Sequence, residues 1–427
     1  MTSIATQREY DAIDLSAESL WAGPSGERDR LFAELRRERP VTWQRPIVTP
    51  MMALLGQEPP PGYWAVVRLD DIVTVSRNPE VFSNASGVMF EDLPAEVLKQ
   101  SFLLAMDEPQ HGKYRRLVSS VFTPKRLALI RDQIENQARQ IVDGIARCSE
   151  DVEFVSHVSA RLPLWTISEM VGVPQEWHDE IREAASGLVG WNDDEILGDL
   201  DPPTLMLNSI TTLHTRCHQI IEARRSKPED DLISALVQAE VDGERMTDDD
   251  ISYFFTLLCV AGSDAPMHTT THTLRALTEY PDQRAHLLED LDGRIDVAVE
   301  EFVRWATPAM TFRRTALQRF ELSGATIEPG DRVIIFLNSG NRDEKHFVDP
   351  FRFDITRKPN PHIGFGGRGP HYCLGSHVAK MQIKAIVTEL FRRLPDIHTV
   401  GEPEYLAGTF INGIKRQYVR FTPESAG

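Results

Sequence analysis

Residues 363–377 read IGFGGRGPHYCLGSH, and no other stretch narrows the choice of fold so far. One cysteine, Cys373, stands in a loop crowded by Gly366, Gly367, Gly369 and Gly375. Glycine tolerates positive φ and lets backbone approach a ligand closely. A helical period follows at once: Ile383, Ile386, Val387, Leu390 and Leu394 fall on one face. Cys373 is therefore expected at or just before a helix N-terminus. There the unpaired N–H groups and the positive dipole end favour a thiolate. The chain has only four cysteines and no CxxC pair, which argues against a zinc site or a disulfide framework. A lone thiolate among backbone amides suggests a ligand for haem iron instead.

Composition sets the outer bounds. A chain of 427 residues, 41 % of them hydrophobic, can bury a substantial core. No apolar run reaches the roughly 18 residues that a spanning helix needs. The N-terminus lacks the basic-then-apolar pattern of a signal segment. The expectation is a cytoplasmic protein with no membrane span. A net charge of −18 argues against nucleic-acid binding, which needs a basic footprint. Cys148, Cys217 and Cys259 fall in helical patterns and read as small core residues, consistent with a reducing compartment.

Helical patterns dominate the chain, with strands at 62–69, at 307–317, after 328 and near the C-terminus. The fold class expected is mainly α with a small β-rich subdomain. Residues 1–24 read as a loose N-terminal tail and 25–427 as a single catalytic domain. Residues 79–105 form a long irregular stretch, and loops of that length are usually functional. The segment 190–206 interrupts the helical pattern with Gly, Asp and Pro and reads as a mobile connection. His111 and Arg115, at i and i+4, share a helix face and suit an anionic group. ISYFFTLLCVAGSDAP (251–266) is apolar nearly all round, so its helix should be buried. Its one carboxylate, Asp264, must be bonded or functional to be tolerated there. Pro266 has no N–H, so the carbonyl of Gly262 loses its i+4 donor and a kink is expected. Glu301 and Arg304 stand at i and i+3, within ion-pair reach.

These motifs together resemble the cytochrome P-450 family. Gly369, His371, Cys373 and Gly375 match its G-x-H-x-C-x-G haem loop, with one departure: Phe365 lies eight residues before the cysteine, and Gly366 holds the usual phenylalanine place. The resemblance implies haem b, with Cys373 as the metal ligand and Ala261, Phe365, Gly366 and Gly375 beside the cofactor. His111, Arg115, Arg314 and His371 are implied as contacts of the haem propionates, with Arg313 the weaker alternative to Arg314. Ala261, Gly262 and Asp264 match the family's A-G-x-D/E-T helix, but Ala265 replaces its threonine, and the proline-freed Gly262 carbonyl is expected to hold water in its stead. The pair Glu301 and Arg304 matches the family's structural ExxR motif, completed by Arg352 with Arg357 as the fallback.

The implied reaction is monooxygenation with dioxygen and electrons from a ferredoxin, a ferredoxin reductase and NAD(P)H. Lys113, Arg116, Arg368 and Lys380 cluster around the proximal motifs and predict a basic docking patch. VTWQRPI (41–47), AEVDGERM (239–246) and FINGIKRQ (410–417) resemble methyl-branched-lipid and sterol side-chain hydroxylases. An apolar lipid oxidised at a terminal position is the implied substrate, with Met89, Phe90, Val260, Met310 and Phe410 as pocket candidates. A steroid or terpene hydroxylase is the alternative. Two other classes stay open: a haem-binding sensor or carrier, and a peroxide-using enzyme, though no arginine stands near Asp264 to mark the latter.

Overall fold

Helices carry most of the chain. Among them are α1 (Gly26–Glu38), α2 (Leu69–Arg77), α3 (Gln110–Ser119), α4 (Pro124–Ile145), α5 (Arg161–Val171), α6 (His178–Val189), α7 (Pro202–Ser226), α8 (Leu232–Gln238), α9 (Asp248–Glu279), α10 (Leu291–Ala306) and α11 (Ser376–Arg393). The computed structural model describes residues 8–425 except 49, 91, 120–123, 192 and 242. α9 is the longest, 32 residues, and it packs against α5, α7, α10 and α11. Its start is fixed by a reciprocal capping box between Thr247 and Asp250. The helix runs on through Pro266, where Gly262 lacks its i+4 donor, and residues after it are backed by Thr269, Thr270, Thr271 and Thr273, each bonding the carbonyl four residues earlier.

The strands form two main sheets. The larger has the order β1 (Val41–Gln44), β2 (Tyr63–Val66), β6 (Arg332–Phe336), β5 (Thr311–Ala316) and β3 (Phe82–Ser83); only β2 and β6 pair in parallel. β4 (Val152–Glu153) joins the smaller sheet beside β8 (Ile414–Arg420), which pairs with β7 (His398–Tyr405). One face of the large sheet buries α2, and the other buries α1.

Several expectations need correction. The described part of the N-terminal segment is not loose. Leu15 and Trp21 are buried with Phe32 and Phe336, and Asp11 donates its N–H to the Trp43 carbonyl. The cause is apolar side chains too far apart in sequence to show a period. Asp201–Pro203 does not interrupt a helix but starts one: the Asp201 side chain caps α7 and Pro202 takes its first position, where a missing N–H costs nothing. Cys217 and Cys259 are core residues as expected, whereas Cys148 is exposed beyond the end of α4.

Candidate active site

The cysteine loop is held by short backbone bonds and by α2. Cys373 donates its N–H to the Phe365 carbonyl at 2.9 Å, and Gly366, at φ +104°, donates to Ile363. A Cβ at Gly369 would fall 1.8 Å from the Ser76 carbonyl oxygen, and one at Gly367 would meet the Ser76 hydroxyl. These two glycines therefore serve the packing of loop on helix. Gly375 differs: a Cβ there would meet nothing within 4 Å, so the side of the loop beside the sulfur is open. Gly375 is the N-cap of α11, and the N–H groups of Gly375 and Ser376 point at the thiol. Burial pushes the Cys373 thiol up from its ordinary value, and the Gly375 N–H, the Arg115 charge and the Ser376 N–H pull it back only in part. In the protein alone burial wins, contrary to the simple dipole expectation.

Around this loop four basic side chains converge with little to neutralise them. The His111 and His371 rings lie 4.1 Å apart. His111 is buried, and its Nε2 has no partner, while Nδ1 faces Glu108 at 3.2 Å. Arg115 donates to the Tyr372 carbonyl at 2.7 Å. Arg314 is buried and donates to the Arg313 carbonyl. Burial, then His111, Arg314 and Arg115, hold His371 down at about 3. Burial also lowers Arg314 to about 10. Two arginines, one of them buried, crowded against the two imidazoles are unfavourable unless an anion joins them. Arg313 is otherwise engaged, bridging to Asp92 and the Ser86 carbonyl, which settles which of the two arginines faces the cluster.

α9 contributes the other wall. Ala261 is exposed although Cys259 two residues earlier is fully buried, so the helix is uncovered there. A Cβ at Gly262 would strike Ile167 of α5, so this glycine serves helix packing. Burial alone raises the Asp264 carboxyl to about 7. The Ser263 hydroxyl has no partner.

Beside α9 lies an apolar cavity. Its wall takes Val88 and Met89 from the long loop, Leu188 and Trp191 from the end of α6, and Met206 from α7. Thr256, Leu257 and Val260 come from α9, and Leu406–Ile411 from the turn between β7 and β8. Of the pocket candidates, Met89, Val260 and Phe410 stand on this wall. Phe90 and Met310 do not. Phe90 packs edge-on to Tyr63 and near Phe336 in the sheet core, and Met310 is buried in the same cluster, its N–H bonded to the Phe410 carbonyl. Trp191 and Met206 were missed. Their signal was weak: the acidic segment 190–206 also carries Ile196, Leu197, Leu200 and Leu205, and nothing in its pattern singles out Trp191 and Met206.

A sequence profile of the family Cytochrome P450 matches residues 206–396. The methyl-branched lipid omega-hydroxylase of Mycobacterium tuberculosis is 38 % identical over 406 residues, 94 % of this chain and 93 % of that protein. The chain belongs to the cytochrome P450 family. The steroid C26-monooxygenase of Rhodococcus jostii is 36 % identical, over 93 % of this P450 and 82 % of that protein. A Mycobacterium marinum cytochrome P450 solved in complex with pseudoionone superposes with a TM-score of 0.93 at 47 % identity, covering 98 % of this chain and 100 % of that one. This P450 is accordingly a monooxygenase, and its cofactor is haem b. The residues present fit that group: an open-sided, partly buried cysteine, an orphaned His111 nitrogen and the two arginines beside His371 suit one iron and two carboxylates.

The ExxR pair of the P450 is fully buried, with Arg304 forking onto Glu301 through two bonds of 2.7 Å. The third member is Arg357, not Arg352. Arg357 reaches Glu301 at 3.2 Å and is buried; Arg352 is exposed and its side chain faces Asp282 at 3.4 Å. Arg352 contributes its carbonyl oxygen instead, accepting from both Arg304 and Arg357.

Proposed function

We propose that this P450 hydroxylates a C–H bond at or near the terminus of a methyl-branched lipid chain, and that residues 25–427 act as one catalytic domain. The carrying observation is an apolar cavity lined by Thr256 and Val260, which share with Asp264 one face of α9. Two relatives support the position of oxidation, one named for the omega carbon of a methyl-branched lipid and one for C26 of a steroid. A sterol side chain is the second reading for the same reason.

Cys373 would ligate the haem iron, and His111, Arg115, Arg314 and His371 would take the two propionates by charge-assisted bonds. Bound haem supplies activation of dioxygen and insertion of one oxygen atom into the C–H bond. The chain does the rest. Phe410, Met89 and Val260 orient an apolar chain and exclude water from it. Asp264, protonated up to about pH 7, holds a proton beside the reacting end. Ala265 offers no hydroxyl, so the Gly262 carbonyl left free by Pro266 is the acceptor available to fix a water there.

Electrons come, on this reading, from a ferredoxin system docking over the cysteine loop. The basic patch is weaker than its sequence suggests. Lys113 is paired with Glu244 and Lys380 with Glu300, while Arg368 donates to the Pro361 carbonyl. Among the described residues no helix is long and apolar enough to cross a membrane.

Two measurements test the proposal. The reduced, carbon monoxide-bound protein should show the thiolate-haem absorption band, and Cys373→Ser should abolish it; persistence would mean that another residue holds the iron. Turnover of branched fatty and isoprenoid chains with ferredoxin, reductase and NAD(P)H should give terminal alcohols. Products confined to mid-chain or ring positions would overturn the assignment.

A further inference from the structure

α9 carries a hydroxyl that breaks the habit of its neighbours. Ser252, Thr269, Thr270, Thr271, Thr273 and Thr278 each donate to the carbonyl four residues earlier, the usual way a helix satisfies such a group. Thr256 does not. Its side chain is 1 % exposed, and its Oγ1 has no hydrogen-bond partner. Among the described residues lining the apolar cavity it is the one buried polar side-chain atom left unpaired. The side-chain amide on that wall, Gln100, is satisfied by the Glu96 carbonyl and by His214. A buried hydroxyl without a partner is costly, and the cost is removed only by an acceptor that enters the cavity.

We infer that Thr256 is a specificity-determining anchor, donating a hydrogen bond to an uncharged oxygen of the substrate. The inference rests on the cavity being the substrate site. Thr256, Val260 and Asp264 stand at i, i+4 and i+8, so they share one face of α9. Eight residues at about 1.5 Å each place the anchor about 12 Å from the acid. The substrate is thereby held at both ends: a carbonyl or hydroxyl at Thr256, and the carbon to be oxidised near Asp264. The described wall carries no lysine, arginine or histidine. A free carboxylate would enter it uncompensated. The class selected is a branched chain with a neutral ketone or alcohol oxygen remote from the reacting end, over both the hydrocarbon and the free acid.

The test uses haem-loaded protein and absorbance titration with three probes: pseudoionone, the hydrocarbon in which its carbonyl is a methylene, and the carboxylic acid of the same length. The wild type should bind the ketone about tenfold more tightly than the hydrocarbon, the range of one neutral hydrogen bond. The acid should bind more weakly than the ketone. Thr256→Val keeps the shape and removes the hydroxyl, so the ketone-to-hydrocarbon ratio should fall to about one. Thr256→Ser should restore it. A ratio in Thr256→Val equal to that of the wild type overturns the anchor while leaving the cavity assignment intact. So does tighter binding of the acid. Binding of none of the probes would overturn the cavity assignment and the anchor with it.

Discussion

At the residue scale the decisive group is Asp264. Its carboxyl is raised to about 7 by burial, against 3.8 for the exposed group. Through that interval the folded chain keeps a proton that the unfolded chain has already released, so stability falls as pH rises from about 4 to about 7. Asp264→Asn removes this dependence. The variant should therefore gain thermal stability over the wild type, more at about pH 8 than at about pH 5, and it should lose about a hundredfold in turnover if the carboxyl moves a catalytic proton. Equal Tm differences at the two pH values would mean that the carboxyl is solvated, and full turnover would mean that protons arrive by another route. Ala265→Thr asks the complementary question. If product per NAD(P)H rises steeply, the native site lacks something the hydroxyl supplies. The freed Gly262 carbonyl predicts the opposite, with coupling unchanged or lower.

At the scale of elements, legibility in the sequence followed locality. α1, α2, β2, β5 and α9 were readable because each has its own period. The cysteine, the two histidines and the two arginines beside it were readable because motif spacing survives any packing. Side-chain direction was not: Phe90 and Met89 are adjacent, yet one enters the sheet core and the other the cavity. Nor was the choice between Arg352 and Arg357, which depends on how residues 350–357 fold back over α10. That choice has an energetic signature. Arg357→Met removes a charged bond to buried Glu301 and three bonds to carbonyls, and should cost about 2 kcal/mol or more. Arg352→Ala keeps the carbonyl that both arginines use and loses only an exposed pair, so its cost should stay within about 0.5 kcal/mol. Chemical denaturation of the two variants compares them directly; the reverse order would restore Arg352 to the motif.

At the scale of the whole molecule, the segment before α1 connects the sheet to the cavity. Trp21 stacks on Phe336 at 5.9 Å and meets Phe32 edge-on, while its indole N–H donates to the Leu15 carbonyl. Its own carbonyl accepts the N–H of Gly408, in the turn that lines the cavity. The same turn is fixed from the other side, where His272 of α9 donates to the Asn412 carbonyl and His268 accepts from the Ile414 N–H. Burial, helped by His272, holds His268 down at about 3, and burial holds His272 at about 4 against the bond to Asn412, so both stay neutral across the physiological range and the clamp does not loosen with pH. A loose tail would contribute nothing to stability or to selectivity. A packed one contributes to both. Trp21→Ala should cost about 3 to 5 kcal/mol, as large aromatic deletions in cores do. It should also broaden the distribution of hydroxylated positions, because the Gly408–Ile411 wall loses its outer support. Trp21→Phe, which keeps a ring against Phe336, should recover most of the stability and the product distribution. Denaturation midpoints and product analysis read the two effects separately. A cost below about 1 kcal/mol would return the segment to the loose tail its composition suggested, and a large cost with unchanged products would confine its role to the core.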